Sequence, residues 1–297
     1  MSRRGWVLFG AMCVLWGIPY LMIKVAVIEV SAPVLVLART AVGAAVLLPL
    51  AIRAGGFDVV RLHWPWVLAF AVLEIIGPWW LIADAERRLS SSMAGLLIAS
   101  VPIISAVLAR FFGDTERLGR TRLIGLLVGF GGVVLLAAPQ LGGGTALSVG
   151  EMLVVAVGYA TAPLIAGHRM ADVPDVPLTA TCLALAAIVY AAPAAATWPT
   201  STPSTRVLLA LAGLALLCTA LAFVVFFALI REVGATRAMV FTYVNPAVAV
   251  TAGVVLLGEP LTPSMITAFV LILAGSVLAT SRARGTVAAG AAPPCAA

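Results

Sequence analysis

The chain has 297 residues, 63% of them hydrophobic and 10% charged, and its mean hydropathy is +1.14. Soluble domains carry about 25% charged residues, so no water-facing surface can hide this much apolar material, and the solvent must be lipid. The net charge of +6 is spread over the connections between apolar runs. It lacks the dense basic tract that nucleic-acid binding needs and is assigned to membrane orientation.

The first apolar run follows Arg3-Arg4 and reaches Val27. It is too long for a signal peptide and has no clean small-residue cleavage site, so it reads as a spanning helix. A membrane helix needs about 20 apolar residues. On that basis spans are predicted near Gly5–Val27, Ala32–Arg53, Trp64–Asp84, Leu89–Phe112 and Leu123–Pro139. Five more follow near Ser148–Gly167, Pro177–Thr197, Val207–Ile230, Ala235–Leu257 and Thr262–Thr280. The connections are short and hold glycine, proline or charge, as at Gly55-Gly56, Gly142-Gly143-Gly144, Pro174, Pro199 and Gly258-Glu259-Pro260. The Ala, Gly and Pro composition of the tail, residues 283–297, predicts disorder.

Loop charges agree with ten spans. With the N-terminus in the cytoplasm, the inside segments hold Arg3, Arg4, Arg53, Arg61, Arg110, Arg117, Arg120, Arg122, Arg169, Arg231, Arg237, Arg282 and Arg284. The outside segments hold Lys24, Arg87, Arg88 and Arg206, and Arg39 lies within a span. Thirteen against four is a positive-inside bias, which predicts a multi-pass protein of the cell membrane with both termini cytoplasmic. Trp6, Trp64, Trp66 and Trp198 fall near span ends, where amphipathic rings favour the interface.

The chain also repeats. An offset of 144 places Pro19 on Pro163, Arg87 on Arg231 and Pro102 on Pro246; after one residue of slippage, 143 places Glu116 on Glu259 and Gly132 on Gly275. Five spans per half is an odd number, so the halves insert with opposite orientation. The fold class expected is an all-α membrane protein, ten transmembrane helices as two inverted five-helix repeats (residues 1–140 and 145–282), with a site near the midplane between them.

Three motifs carry a family resemblance: Leu15-Trp16-Gly17-Ile18-Pro19; the stretch from Pro102 to Glu116, Arg117 and Leu118; and Gly234-Ala235-Thr236 through Asn245-Pro246 to Gly258-Glu259-Pro260-Leu261. From Gly5 to Thr280 the sequence resembles the EamA family of the drug/metabolite transporter superfamily. It departs from the family pattern at Gly113-Asp114-Thr115-Glu116. The resemblance implies two EamA repeats around a central substrate cavity, helices five and ten outside the path, and export of metabolites, amino acids or drugs. It names no single substrate.

A carboxylate buried mid-span marks a functional site by default. Glu74 shares a helix face with Pro78, Leu81 and Ala85. It reads as a proton-coupling or cation-binding group, or as a structural carboxylate paired with Arg39 or Lys24. Arg39 needs a carboxylate, from the protein or from a substrate. Trp16 and Tyr20, one turn apart, either line the path or pack. Trp79 and Trp80 point apart, so at most one faces a cavity; Trp79 is carried among the path residues, and the sequence does not decide which of the two faces inward. Lys24 snorkels to the interface or attracts anions. His168, its repeat mate, reads as solvated, and Asp84 as solvated or as a gate partner of Arg87. Pro246 frees the carbonyl of Thr242 beside the Asn245 amide, and Ser100 with Pro102 is the counterpart. Glu116 and Glu259 read as caps of the helices they precede. Gly125, Gly129, Gly132, Ala274 and Gly275 permit close helix packing, including that of a homodimer.

Cys13, Cys182, Cys218 and Cys295 form no CxxC or metal spacing and predict no disulfide framework. Cys295-Ala296-Ala297 is one residue short of a prenylation box. No cofactor or metal site is read, no P-loop is present, and no HExxH, DDxxD or paired-Asp arrangement supports an intramembrane enzyme. The leading expectation is a secondary transporter for small molecules in the bilayer, with a non-transporting scaffold or accessory subunit as the alternative.

Overall fold

In hydrocarbon every backbone N–H and C=O must find a partner within the protein, so aliphatic runs of this length become helices. The computed structural model describes residues 2–112, 120–140, 145–234 and 238–280, and those residues form helices and no strand. Glu116, Leu118, Gly142-Gly143-Gly144, Ala235-Thr236 and the tail after Thr280 lie outside the described residues.

Eight helical segments are long and apolar enough to cross a membrane. The first is α1 (Arg3–Leu15) with α2 (Pro19–Ala26), and the second is α3 (Ala32–Ala54). A short α4 (Phe57–Leu62), which the sequence reading missed, follows the left-handed Gly55 and Gly56. The third segment is α5 (Trp64–Ala71) with α6 (Gly77–Ala85), and the fourth is α7 (Ser91–Ile98) with α8 (Val101–Leu108). Then come α9 (Arg120–Ala137), α10 (Ala146–Arg169), α11 (Asp175–Ala196), and α12 (Thr205–Ala212) with α13 (Ala222–Val233). Two shorter apolar helices close the described chain, α14 (Asn245–Leu257) and α15 (Pro263–Thr280).

The ninth predicted run is shorter than expected because Pro246 cannot continue a preceding α-helix. A 3-10 turn over Met239–Tyr243 leads into it instead. The interfacial tryptophans behave as the sequence implies: Trp6, Trp64 and Trp198 are exposed, and the Arg169 guanidinium lies 5.0 Å over the Trp66 ring.

Helices from the two halves pair throughout: α1 with α13, α3 with α11, α6 with α10, α7 with α14, and α9 with α15. The α9–α15 contact consumes the glycines that left room for a dimer. A Cβ on Gly275 would run into the Gly129 backbone, and one on Gly125 would stand 2.5 Å from the Ala279 nitrogen. Those small faces are buried inside one chain, so they give no support for a homodimer.

Gly275→Ala is expected to lower stability by about 1–3 kcal/mol, because the obstructing atom is backbone and cannot swing away. Thermal unfolding of the purified protein in detergent checks this. An unchanged melting temperature would mean that α9 and α15 are not in this contact.

Candidate functional site

The helix breaks surround a cavity of about 730 Å³. Pro19, Pro102, Pro163 and Pro246, the two proline pairs of the repeat, all line it. Three of them start helices at breaks, after Ile18, Ser100 and Val244, while Pro163 sits inside the continuous α10. Trp16, Tyr20, Glu74, Trp79, Thr242 and Asn245 also border the space. Ser100 does not. It is buried behind the wall, where its hydroxyl donates to the Leu97 carbonyl at 2.6 Å. A serine beside a proline break satisfies the nearest free carbonyl and so turns away from the cavity.

Trp16 packs against Phe223, Phe226 and Phe241 with ring centroids 5.0 to 5.5 Å apart, so one ring both holds α13 and borders the cavity. Trp79 is 7% exposed and borders the cavity, while Trp80 is 39% exposed on the outer surface. This settles which ring of the pair faces inward.

Arg39 and Glu74 both line the cavity but do not pair with each other. Arg39 Nε donates to Thr219 Oγ1 at 3.3 Å, and the guanidinium lies 3.9 Å over the Trp79 ring. Its Nη atoms have no hydrogen bond among the described residues and are not among the sealed-off unpartnered atoms, so they open onto the cavity. Glu74 Oε2 is buried with no hydrogen-bond partner, and so is Asn245 Oδ1.

Two π-helical segments prepare these positions. Glu74 lies in Val72–Ile76, and Thr219 in Gly213–Leu221. Adding the repeat offset of 144 to 72–76 gives 216–220, inside the second segment. A π turn shifts the i→i−4 ladder and frees carbonyls, and such turns concentrate at functional sites. Tyr190 caps one by donating to Ile76 O at 2.6 Å, and Thr219 another by donating to Leu214 O at 2.8 Å. The Thr219 hydroxyl thus gives its proton to the helix and its lone pair to Arg39. Sequence periodicity carried no signal for either π turn.

One end of the cavity is closed. Gly95 of α7 crosses α14 so tightly that a Cβ there would stand 2.6 Å from Ala249 Cβ and 3.6 Å from the Tyr20 ring. Beyond this crossing, polar bonds join the halves. Glu259 accepts from Ser91 N at 2.7 Å, Ser91 Oγ at 2.9 Å, Ser92 N at 2.9 Å and Ser92 Oγ at 2.5 Å. It does sit at a helix N-terminus, as a carboxylate should, but at that of α7 and not of α15. The left-handed Gly258 turns it back, and Gly253 leaves room for its carboxylate. Glu29 does the reciprocal work, accepting from Ser204 N at 2.6 Å and Ser204 Oγ at 2.7 Å at the start of α12.

Arg88 also bridges the halves at this end, bonding Asp84 at 2.5 Å, Ser148 at 2.6 Å and Glu151 at 3.2 Å. Asp84 therefore pairs with Arg88 one turn on, not with Arg87. Lys24 does not snorkel outward. Its ammonium donates to Glu86 O at 2.6 Å and Leu89 O at 2.7 Å, carbonyls that the end of α6 leaves free. The long-range partners at this end, 60 to 175 residues apart, could not be read from sequence spacing.

Toward the opposite end the cavity reaches Ala109, Arg122, Met239 and Ala279. There Ser2 bonds Glu232, and His63 approaches Asp172 at 3.5 Å. Helices α9 and α15, expected outside the path, border the cavity through Arg122, Leu273 and Ala279.

The EamA-like transporter family matches this sequence twice, over residues 3–138 and 148–281. The chain belongs to the EamA-like transporter family. It is 27% identical over 288 residues to the uncharacterized inner membrane transporter YedA of Escherichia coli K12, covering 92% of this chain and 90% of that one. It is 23% identical over 295 residues to the uncharacterized transporter YvbV of Bacillus subtilis 168, covering 97% and 95%. An uncharacterized transporter of Archaeoglobus fulgidus is 25% identical over 279 residues, covering 92% and 97%. A solved crystal structure shares the fold, with a TM-score of 0.65 and 22% identity over 94% of this chain and 97% of that one. This EamA protein is thus a multi-pass membrane protein of a transporter family.

The Glu259 latch has a definite pH sign. Burial works to raise its carboxyl, but the bonds from Ser92 and Ser91 outweigh it and hold the group below the ordinary value of 4.5. A depressed value means that the latch is complete above the ordinary range and is lost only as pH falls through the lowered one. Glu259→Gln at neutral pH is expected to open the sealed end more often, by about tenfold for the loss of a charge-assisted bond of ~1.5 kcal/mol. Labelling of a cysteine placed at Met93, beneath the latch, by a membrane-impermeant thiol reagent measures this. Equal labelling with and without the substitution would remove Glu259 from the closure.

Proposed function

We propose that this protein is a secondary exporter of small amphipathic metabolites, such as amino acids, or of drugs. It works by alternating access between two inverted five-helix halves, residues 1–140 and 145–282, in the plasma membrane with both termini in the cytoplasm. The observation that carries this reading is the cavity itself. It reaches the middle of the bundle, is closed at one end by bonds between the halves, and holds a guanidinium and a carboxylate with no protein counter-charge.

Inversion is supported by where repeat mates stand. Arg87 follows Glu86 at the sealed end, whereas Arg231 adjoins Glu232, which bonds Ser2 at the other. The helix pairing points the same way. Exchanging the halves turns the α1–α13 pair into the α6–α10 pair and leaves α3–α11, α7–α14 and α9–α15 unchanged, as a two-fold axis in the membrane plane requires. The positive-inside bias puts the open end at the cytoplasm, which is the loading side for export. The sequence has no P-loop, so a gradient drives transport or the solute runs down its own.

A buried charge is retained only with a partner. Arg39, stacked on Trp79 and steered by Thr219, offers its Nη atoms to a solute carboxylate. Glu74 and the Asn245 amide offer acceptors to a solute ammonium or N–H. A scaffold without transport would have no use for an open cavity that holds unpaired charges.

The test uses efflux and counterflow in cells and proteoliposomes over amino acids, their toxic analogues, and matched amides and amines. Arg39→Gln is expected to weaken carboxylate-bearing solutes about 10- to 100-fold, the value of a charge-assisted bond. Glu74→Gln is expected to weaken amine-bearing solutes and spare simple carboxylates. No saturable flux for any solute in a folded protein would favour the scaffold.

A further inference from the structure

The sealed end contains a carboxylate that no part of the cavity uses. Glu86 caps α6 just beyond the α5–α6 segment and is 0% exposed, and neither of its side-chain oxygens has a hydrogen-bond partner. The nearest cation, Lys24, is occupied. Its ammonium donates to the backbone carbonyls of Glu86 and Leu89 and makes no ion pair with the Glu86 carboxylate. Tyr20, which borders the cavity and packs at the Gly95–Ala249 crossing, lies close enough to Glu86 to interact with its charge.

The charged and titratable groups facing Glu86 come from three packed elements: Lys24 and Tyr20 from α2, Arg39 from α3, and Glu259 from the turn before α15. Arg87 and Arg88 follow it on its own strand of chain, and Arg88 is taken by Asp84, Ser148 and Glu151. Two cations and one anion at a distance do not replace hydrogen bonds. A buried carboxylate with no protein donor is costly in the ionised form. Burial, opposed in part by Lys24, holds this carboxyl well above the ordinary range.

We propose that Glu86 is a proton-binding site tied to closure of the sealed end: it holds a proton while that end is shut and releases it to outside water when the end opens. The claim rests on the alternating-access reading above and adds a dependence of closure on outside pH. Each closure takes up one proton from the outside and each opening returns it there, so the closing step is linked to the outside pH and carries no proton across the membrane. The neighbouring Glu259 latch has the opposite sign and, at neutral pH, stays ionised in the closed state, which leaves Glu86 as the group that titrates with closure.

The sign follows from linkage. The closed state binds a proton that the open state does not, so closure is favoured at low pH and weakened as pH rises through the closed-state value. For one proton the open-to-closed ratio changes by up to tenfold per pH unit between the two values.

Spin labels at Ile28 and Leu261, both exposed at this end and on different halves, report the opening as a distance in lipid nanodiscs between about pH 5 and pH 9. The native chain is expected to shift from short to long distances as pH rises. Glu86→Gln, which keeps the shape and the neutral charge, is expected to fold and melt as the native chain does, with a distribution that does not move with pH. Glu86→Asp is expected to restore a pH response. Two distances with the same pH response in native chain and Glu86→Gln would overturn the proton site and leave alternating access standing. One distance under every condition would overturn both.

Discussion

The structure turns on how costly an unpartnered polar group is in hydrocarbon. Each such group costs several kcal/mol, so an irregular backbone or a charge survives only where the protein answers it or a cavity hydrates it. Prolines at 19, 102 and 246 break helices and line one space, as does Glu74 of the first π turn, while the second π turn reaches that space through the Thr219 bond to Arg39. Hydroxyls of Thr219 and Tyr190 cap carbonyls that the π turns release. What remains unanswered at the cavity is Arg39 Nη, Glu74 Oε2 and Asn245 Oδ1, and away from it the Glu86 carboxylate at the sealed end. The unpartnered groups that line the cavity are the ones a solute would meet.

The two ends of the cavity differ for a physical reason. At the sealed end, carboxylates from each half meet helix N-termini of the other: Glu259 at α7 and Glu29 at α12. A lysine from the first half meets the carbonyl end of α6. Helix dipoles and orphan backbone groups supply part of these contacts, and the hydroxyls of Ser91, Ser92 and Ser204 supply the rest. Glycines at 95 and 253 let α7, α14 and the Glu259 turn approach. At the other end the bonds that join the halves lie at the periphery, between Ser2 and Glu232 and between His63 and Asp172, and leave the middle open.

Much of this was legible in the sequence. Apolar run length gave the segments, proline spacing gave the duplication, and the Gly–Glu–Pro motif located the turn that closes one end. Of the residues picked for the path, Trp16, Tyr20, Glu74, Trp79, Pro102, Thr242, Asn245 and Pro246 border the cavity. What failed was partnership. Arg39 and Glu74 looked like a pair because each needed one, yet α3 and the π turn hold them apart. Lys24 looked like a snorkelling residue because the end of α6 could not be foreseen beside it. Glu86 escaped notice because a charge in a connection reads as solvated, and only packing buries it. The small-residue faces of α9 and α15 do permit close helix packing, and the helix each one meets is the other.

The account depends on two copies of one unit lying head to tail in the bilayer. Its most direct test is single-cysteine labelling from each side of intact and inverted membranes at the repeat mates Arg87 and Arg231, with the native cysteines removed. The account predicts that a cysteine at 87 reacts only with reagent outside the cell, and one at 231 only with reagent in the cytoplasm. Reaction of both from the same face would contradict it.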